Sequence, residues 1–131
     1  MGLFIFDEFL FFYFEDLDWS IRARQAGFKL LYYPGVKILH VAGAALKSPS
    51  KGIQRTKPVV YYLYARNNIL VIKKHHKGLS RLVSITGYFI RFVLFYSLIF
   101  VGLRRIEKLK SLWMGVVDGL NGNPARVSEF R

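Results

Sequence analysis

The apolar positions of this chain change period along its length, and each change marks an element. Leu17 to Ala26 reads as a short helix, with Asp16 or Asp18 placed to cap its start and Gly27 where a C′ glycine belongs. Phe28-Lys29-Leu30-Leu31-Tyr32-Tyr33 reads as a strand after that glycine stop. Pro34-Gly35 reads as a turn or bulge, and Val36 to Val41 as a second strand with partial alternation. Residues 42–57 are rich in Gly, Ala, Ser, Lys and Pro and predict a loop.

From Pro58 the pattern turns helical. Proline is favoured at the first helical position, and the helix it opens runs to about Lys74. A basic cluster follows: Lys73, Lys74, His75, His76 and Lys77. Adjacent histidines do not share a helix face, so this cluster predicts a solvated or lipid-facing surface more readily than a metal site. Residues 82–103 carry a single charge, Arg91, among 14 Leu, Ile, Val and Phe residues. At roughly −0.3 to −0.6 kcal/mol each, these contribute about −4 to −8 kcal/mol to membrane insertion. One central arginine costs about +2.5 to +3.5 kcal/mol on the same scale. Insertion is therefore affordable, but bases flank both ends of the run and give no orientation. Ser84, Tyr88 and Arg91 fall on one stripe, which suits a helix lying in the interface or two helices broken near Gly87. Ile106, Leu109, Leu112, Trp113, Val116, Val117 and Leu120 recur at three- and four-residue spacing, an amphipathic and interfacial pattern.

Composition sharpens this picture. At 131 residues the chain fits one domain or a piece of one, and 53% hydrophobic content excludes a disordered chain. There is no cysteine, so there is no disulfide and no thiolate site. The net charge of +12 raises nucleic acid, an anionic membrane or a phosphorylated substrate as partners. No nucleic-acid motif accompanies the bases, and their placement around an apolar run favours the membrane. The acids are segregated: Asp7, Glu8, Glu15, Asp16 and Asp18 precede the first base, Arg22, and sit among Phe11, Phe12, Tyr13, Phe14 and Trp19. Burial raises a carboxyl pKa unless something offsets it, so this cluster is either a general-base or metal site, or a set of helix-terminal caps.

The run from Phe12 through Glu15-Asp16-Leu17-Asp18-Trp19 to Arg22, Gly27, Tyr32-Tyr33-Pro34 and His40 resembles the acceptor-side half of family-2 glycosyltransferases. Gly2 to Phe9 resembles the lead-in of that half, with one extra residue before Asp7. Tyr61-Tyr62-Leu63-Tyr64-Ala65-Arg66-Asn67 resembles the Y-Y-x-x-R-N helix of rhamnosyltransferase-like members, and Gly115-Val116-Val117-Asp118-Gly119-Leu120 their G-x-x-D-G-L ending. The resemblance implies an α/β fold with GT-A-like architecture: residues 1–57 as the acceptor-side half of the catalytic domain, 58–81 as a helix and basic linker, 82–122 as membrane-associated helices, and 123–131 as a flexible tail.

The same resemblance implies an inverting sugar transfer. An acceptor hydroxyl attacks the anomeric carbon of a nucleotide-sugar, and a carboxylate within hydrogen-bond reach takes its proton. That base is expected to be Asp16, with Glu15 shaping the pocket. Asp18, Trp19, Arg22, Arg66 and Asn67 are expected to bind substrate, and His40 to ligate Mg²⁺ or Mn²⁺. The acceptor is expected to be a saccharide or lipid-linked, and the location the cytoplasmic face of the cell membrane, peripheral or shallowly inserted. The nucleotide-binding half of such enzymes, with its D-x-D metal motif, has no counterpart in this sequence; Asp16-Leu17-Asp18 stands at a helix start instead. The expectation is a C-terminal piece, inactive alone, working with a separate nucleotide-binding half. The competing reading is a non-catalytic basic membrane-surface or interaction module.

Overall fold

The computed structural model describes residues 5–10, 12–39 and 56–130. His40 and most of the expected loop, 42–55, lie outside the described residues. After a 3-10 turn at Glu8–Leu10 come four helices: α1 (Glu15–Gln25), α2 (Pro58–His75), α3 (Gly78–Gly102) and α4 (Ile106–Asn121). A second 3-10 turn, Val127–Phe130, follows.

The expected α/β fold is not what forms: the described residues are helical and contain no strand. Phe28 to Leu39 takes no regular structure beyond the Pro34-Gly35 turn, and Tyr32 is 91% exposed and Leu39 96%. Aromatic and β-branched residues favour strands because they fit a pleated, half-buried surface. Among the described residues no neighbouring strand supplies that surface, so the propensity finds no ladder.

The end of α1 follows its sequence signal. Gly27 takes a left-handed φ of +89°, and the Phe28 amide donates to the Ala23 carbonyl at 3.0 Å. This is the Schellman closure that a C′ glycine permits. The N-terminal expectation differs. The residue before α1 is Phe14, and no side chain caps the helix.

The core lies between α2, α3 and α4. Tyr61, Ala65 and Ile69 from α2 meet Val93 and Phe100 from α3 and Leu112 and Val116 from α4. Tyr61 lies edge-on to Phe100 at 4.7 Å while Tyr88, earlier in α3, donates to the Tyr64 carbonyl, so α3 runs back along α2. No break occurs at Gly87. The helix continues through a widened π segment, Phe89–Leu94, that contains Arg91.

Helix α4 runs parallel to α2 at very short range. Two glycines one turn apart make this possible. A Cβ on Gly115 would sit 2.2 Å from the Tyr62 carbonyl oxygen, and one on Gly119 2.8 Å from that of Arg66. The buried side of α4 therefore consists of Lys108, Ser111, Leu112, Gly115, Val116, Asp118 and Gly119. It is not the stripe that apolar spacing suggests, because closeness of approach, rather than hydropathy, selects the packed face. Ile106, Trp113, Val117 and Leu120 are left outward.

Gly115→Ala is expected to lower stability by at least about 1–3 kcal/mol, the usual cost of overpacking against backbone. Gly87 has open space around it, so Gly87→Ala is expected to stabilise by about 0.5–1 kcal/mol through helix propensity. Urea unfolding in mild detergent distinguishes the two; equal effects would refute the close-contact account.

Candidate functional site

The acidic segment is held in place by two buried residues in the middle of α2. The Asn67 amide nitrogen lies 2.5, 2.8 and 3.0 Å from the carbonyl oxygens of Leu10, Phe12 and Tyr13. The Arg66 guanidinium donates from Nη1 to the Phe9 carbonyl at 3.1 Å and to Asn67 Oδ1 at 2.6 Å, and lies 4.8 Å from the centre of the Phe9 ring. On its other side, Arg66 Nε and Nη2 both donate to the Asn123 carbonyl, at 2.9 and 2.7 Å. Neither side chain is accessible. The two residues expected to bind substrate are thus engaged with the protein's own backbone.

That grip accompanies strain. Tyr13 and Phe14 both have positive φ, 71° and 70°. Left-handed backbone at a bulky residue costs of order 1–3 kcal/mol and persists only where surroundings over-determine it. Here the fixed carbonyls of Phe12 and Tyr13 and the packing of both rings on Tyr64, at 4.5 and 5.4 Å, do so. The sharp turn that results starts α1 and presents Glu15 and Asp16 at its first two positions. Asp16 is exposed, and its Oδ1 accepts from the Leu17 amide at 2.7 Å. Glu15 is half-buried, and its Oε2 is enclosed with no hydrogen-bond partner. Tyr13 feels this wall: burial first, then Tyr64 and Glu15, push its phenol pKa up.

Asp18 is different in kind. It is fully buried and receives Arg22 Nε at 2.9 Å, Lys74 Nζ at 2.8 Å and His75 Nε2 at 2.7 Å. Burial pushes its pKa up, but the hydrogen bonds from Lys74, His75 and Arg22 outweigh that and hold the carboxyl below its usual range. Lys74 also bridges to Asp7 at 2.7 Å. Asp18 and Arg22 thus join α1 to the end of α2. Trp19 is half-buried on the same helix.

A second buried carboxylate, Asp118, received no role from the sequence. It accepts from Tyr62 Oη at 2.9 Å, Asn123 Nδ2 at 2.9 Å, and Arg126 at 2.6 and 2.9 Å. The Arg126 hydrogen bonds, with those from Asn123 and Tyr62, overcome burial and bring its pKa down to about 2. Lys74 and His75 are the other residues missed. Their basic cluster read as solvated or lipid-facing, yet both turn inward to Asp18, and Lys73 bonds the last carbonyls of α4 at Gly119 and Leu120. A signal was present: five acids before residue 19 need cations from elsewhere, and the end of α2 is rich in them.

The described carboxylates do not fit a divalent cation. Asp7 and Asp18 are paired with Lys74 and Arg22, Asp118 with Arg126, and no cluster of three ligating side chains exists among the described residues. His40, the expected ligand, lies outside them.

Compared with known proteins, the chain matches no family model and no solved structure. It is similar to the dTDP-rhamnosyl transferase RfbF of Shigella flexneri, with 28% identity over 117 residues. Those residues are 88% of this chain and 39% of that protein, so the chain spans well under half of the relative's length. The likeness points to a glycosyltransferase relationship.

The depressed Asp118 pKa carries a pH signature. A carboxyl whose folded pKa is lowered contributes its full stability above the unfolded value, near 4, and loses it as pH falls toward about 2. Because the Arg126 side chain is 43% exposed, the contribution is discounted to about 1–2 kcal/mol. Unfolding free energies at pH 5 and 2.5 should converge for the parent and Asp118→Asn. A constant gap would refute this assignment.

Proposed function

We propose that the chain is the acceptor-side part of an inverting glycosyltransferase that uses a nucleotide-sugar, with Asp16 as the general base. The observation that supports this most is the division of labour at the start of α1. Asp18 is buried, paired with Arg22 and Lys74 and hydrogen-bonded to His75, whereas Asp16, two residues earlier, is exposed just after a strained and doubly anchored turn. Strain of this kind concentrates where side-chain position matters. An exposed carboxylate on a rigid support can accept a proton from an incoming hydroxyl, for which it must come within about 3 Å. Glu15, with one oxygen enclosed beside the aromatic wall, would shape the pocket behind it.

On this reading Arg66, Asn67, Asp18 and Arg22 position the acids rather than touch substrate, and Trp19 lines the acceptor side. The donor nucleotide and its Mg²⁺ or Mn²⁺ would be held by a nucleotide-binding portion supplied from outside these residues. The acceptor would be a saccharide or a lipid-linked one. The similarity to a dTDP-rhamnosyl transferase supports sugar transfer as the class; the sugar itself stays open.

The test is a chimera. This chain would be joined to the portion of the Shigella protein outside the matched region and assayed for transfer from dTDP-rhamnose. Asp16→Asn is expected to lower kcat by about 10²–10⁴-fold with donor KM little changed, the usual range for losing a general base. Glu15→Gln should be milder. A parent chimera without activity, or Asp16→Asn at parental rate, would count against the proposal.

A further inference from the structure

We propose that the outward face of α3, continued by the outer stripe of α4, docks flat on an anionic lipid bilayer, with α3 lying in the membrane plane instead of crossing it. This goes beyond the catalytic reading and stands without it.

Helix α3 is long enough and apolar enough to span, with 25 residues and a most apolar 18-residue window of mean hydropathy 1.8. In a soluble core such a helix would be enclosed. Here only 6% of its most apolar window is buried, and Leu79 and Leu98, near opposite ends, are each 75% exposed. Leu82, Val83 and Ile90 share that exposure. The surface does not stop at α3. Trp113 of α4 sits edge-on to Phe89 at 5.7 Å, and its indole N–H donates to Ser97 Oγ at 3.1 Å. The exposed stripe of Trp113, Val117 and Leu120 therefore abuts the α3 face and widens it beyond one helix. An apolar face of this breadth marks an interaction site.

Charge identifies the partner. No acid occurs between Asp18 and Glu107, so the whole of α3 and both its flanks lack a carboxylate. Lys77 and Arg104 are exposed at its two ends. Arg91 borders a shallow groove with Ser84, Gly87, Tyr88 and Phe92, and has no hydrogen-bond or ion-pair partner among the described residues. Cations beside an apolar face complement anionic headgroups, each adding about 1 kcal/mol near such a surface.

Geometry decides between crossing and lying flat. Helix α2 lies against α3, with Tyr61 beside Phe100 and Tyr64 beside Phe92, and α4 meets the half of α3 from Phe89 onward, so a spanning α3 would carry both into the hydrocarbon. Halfway along α2, Arg66 and Asn67 bind backbone outside the α-helices, at Phe9 and Leu10 of the 3-10 turn and at Phe12, Tyr13 and Asn123. Exposed Asp16 lies just beyond that backbone. Irregular backbone and free carboxylates are not tolerated at mid-membrane depth facing lipid. Lying flat keeps this layer on the water side and the apolar face down.

The chain has no cysteine, so single spin labels can be placed cleanly. Leu82→Cys, Ile90→Cys and Leu98→Cys would be labelled on exposed positions, with Ser128→Cys as a tail reference. Depth would be read from oxygen and nickel accessibility on vesicles of phosphatidylcholine with phosphatidylglycerol. Flat docking predicts similar depths for the three α3 labels and an aqueous Ser128. Crossing predicts Ile90 deeper than both others by about 12 Å, eight residues at 1.5 Å each, and that pattern would overturn the proposal. So would failure of the chain to associate with these vesicles, which would mean that protein covers the face. Lys77→Glu with Arg104→Glu should weaken binding to anionic vesicles roughly tenfold or more and leave binding to phosphatidylcholine alone little changed. Unchanged binding to the anionic vesicles would remove the charge argument.

Discussion

Everything in this molecule turns on a buried guanidinium. Arg66 sits at the middle of α2 with no exposed surface, and burial pulls its pKa down while Tyr62, Asp118 and Asp7 push it up. A buried cation persists only if its donors are used, because an unpaired one is far costlier than a lost surface contact. Arg66 uses Nε, Nη1 and Nη2 on chain segments that are distant in sequence, at Phe9 and Asn123, and on Asn67. The segment before α1 and the segment after α4 thus converge on one turn of one helix. The orientation of Glu15 and Asp16 is a consequence of that convergence, since the strained turn at Tyr13 and Phe14 is anchored from the same place.

Two of the motifs that resemble glycosyltransferase sequence, Tyr61 to Asn67 and Gly115 to Leu120, turn out to be halves of a single contact. Tyr62, Arg66 and Asn67 lie on α2; Gly115, Asp118 and Gly119 lie on α4. Gly115 faces the Tyr62 carbonyl, Gly119 faces the Arg66 carbonyl, and Asp118 accepts from the Tyr62 hydroxyl. Glycine is required because a Cβ would overlap backbone that has no room to move. Asp118 in turn holds Asn123 and Arg126, which fixes the loop whose carbonyl receives Arg66. Helix contact and polar node therefore reinforce each other, and Arg66 and Asn67, two of the residues that read as substrate-binding from sequence, are bonded to the protein's own backbone there.

Local signals were legible and long-range ones were not. Gly27 ended α1, Pro58 began α2, and the apolar run after Lys77 made a helix, because each depends on a few neighbouring residues. The strands expected at 28–33 and 36–41 do not form over their described residues, 28–33 and 36–39, because a strand is defined by its neighbour, which sequence pattern does not display. The packed face of α4 failed because hydropathy spacing ranks Trp113 and Val117 above Gly115 and Gly119, whereas proximity to α2 ranks them in reverse. Lys74 and His75 failed because a run of bases has no intrinsic direction; their partners lie more than fifty residues away. The acidic cluster was visible from the start, but its division into a neutralised Asp18 and an exposed Asp16 needed the three-dimensional position of α2.

One chain of contacts connects the apolar face to the acids. Arg91 and Tyr88 border the same groove in α3. The Tyr88 hydroxyl donates to the Tyr64 carbonyl, and the Tyr64 ring packs on Tyr13 and Phe14, the two residues whose left-handed backbone starts α1. Tyr88 stacks on Phe92 within α3, and Phe92 lies near-parallel to Tyr64 at a longer 6.3 Å. The helix widens into its π segment at this place, and such segments recur at functional sites because they re-aim side chains without breaking the helix. A surface that settled against α3 would therefore press on the aromatic wall beneath Glu15 rather than on a remote part of the molecule. The acids stand at one end of this aromatic path and the exposed Arg91 at the other. The side chains between them are rings, which transmit displacement through packing because a close-packed interior has little slack to absorb it.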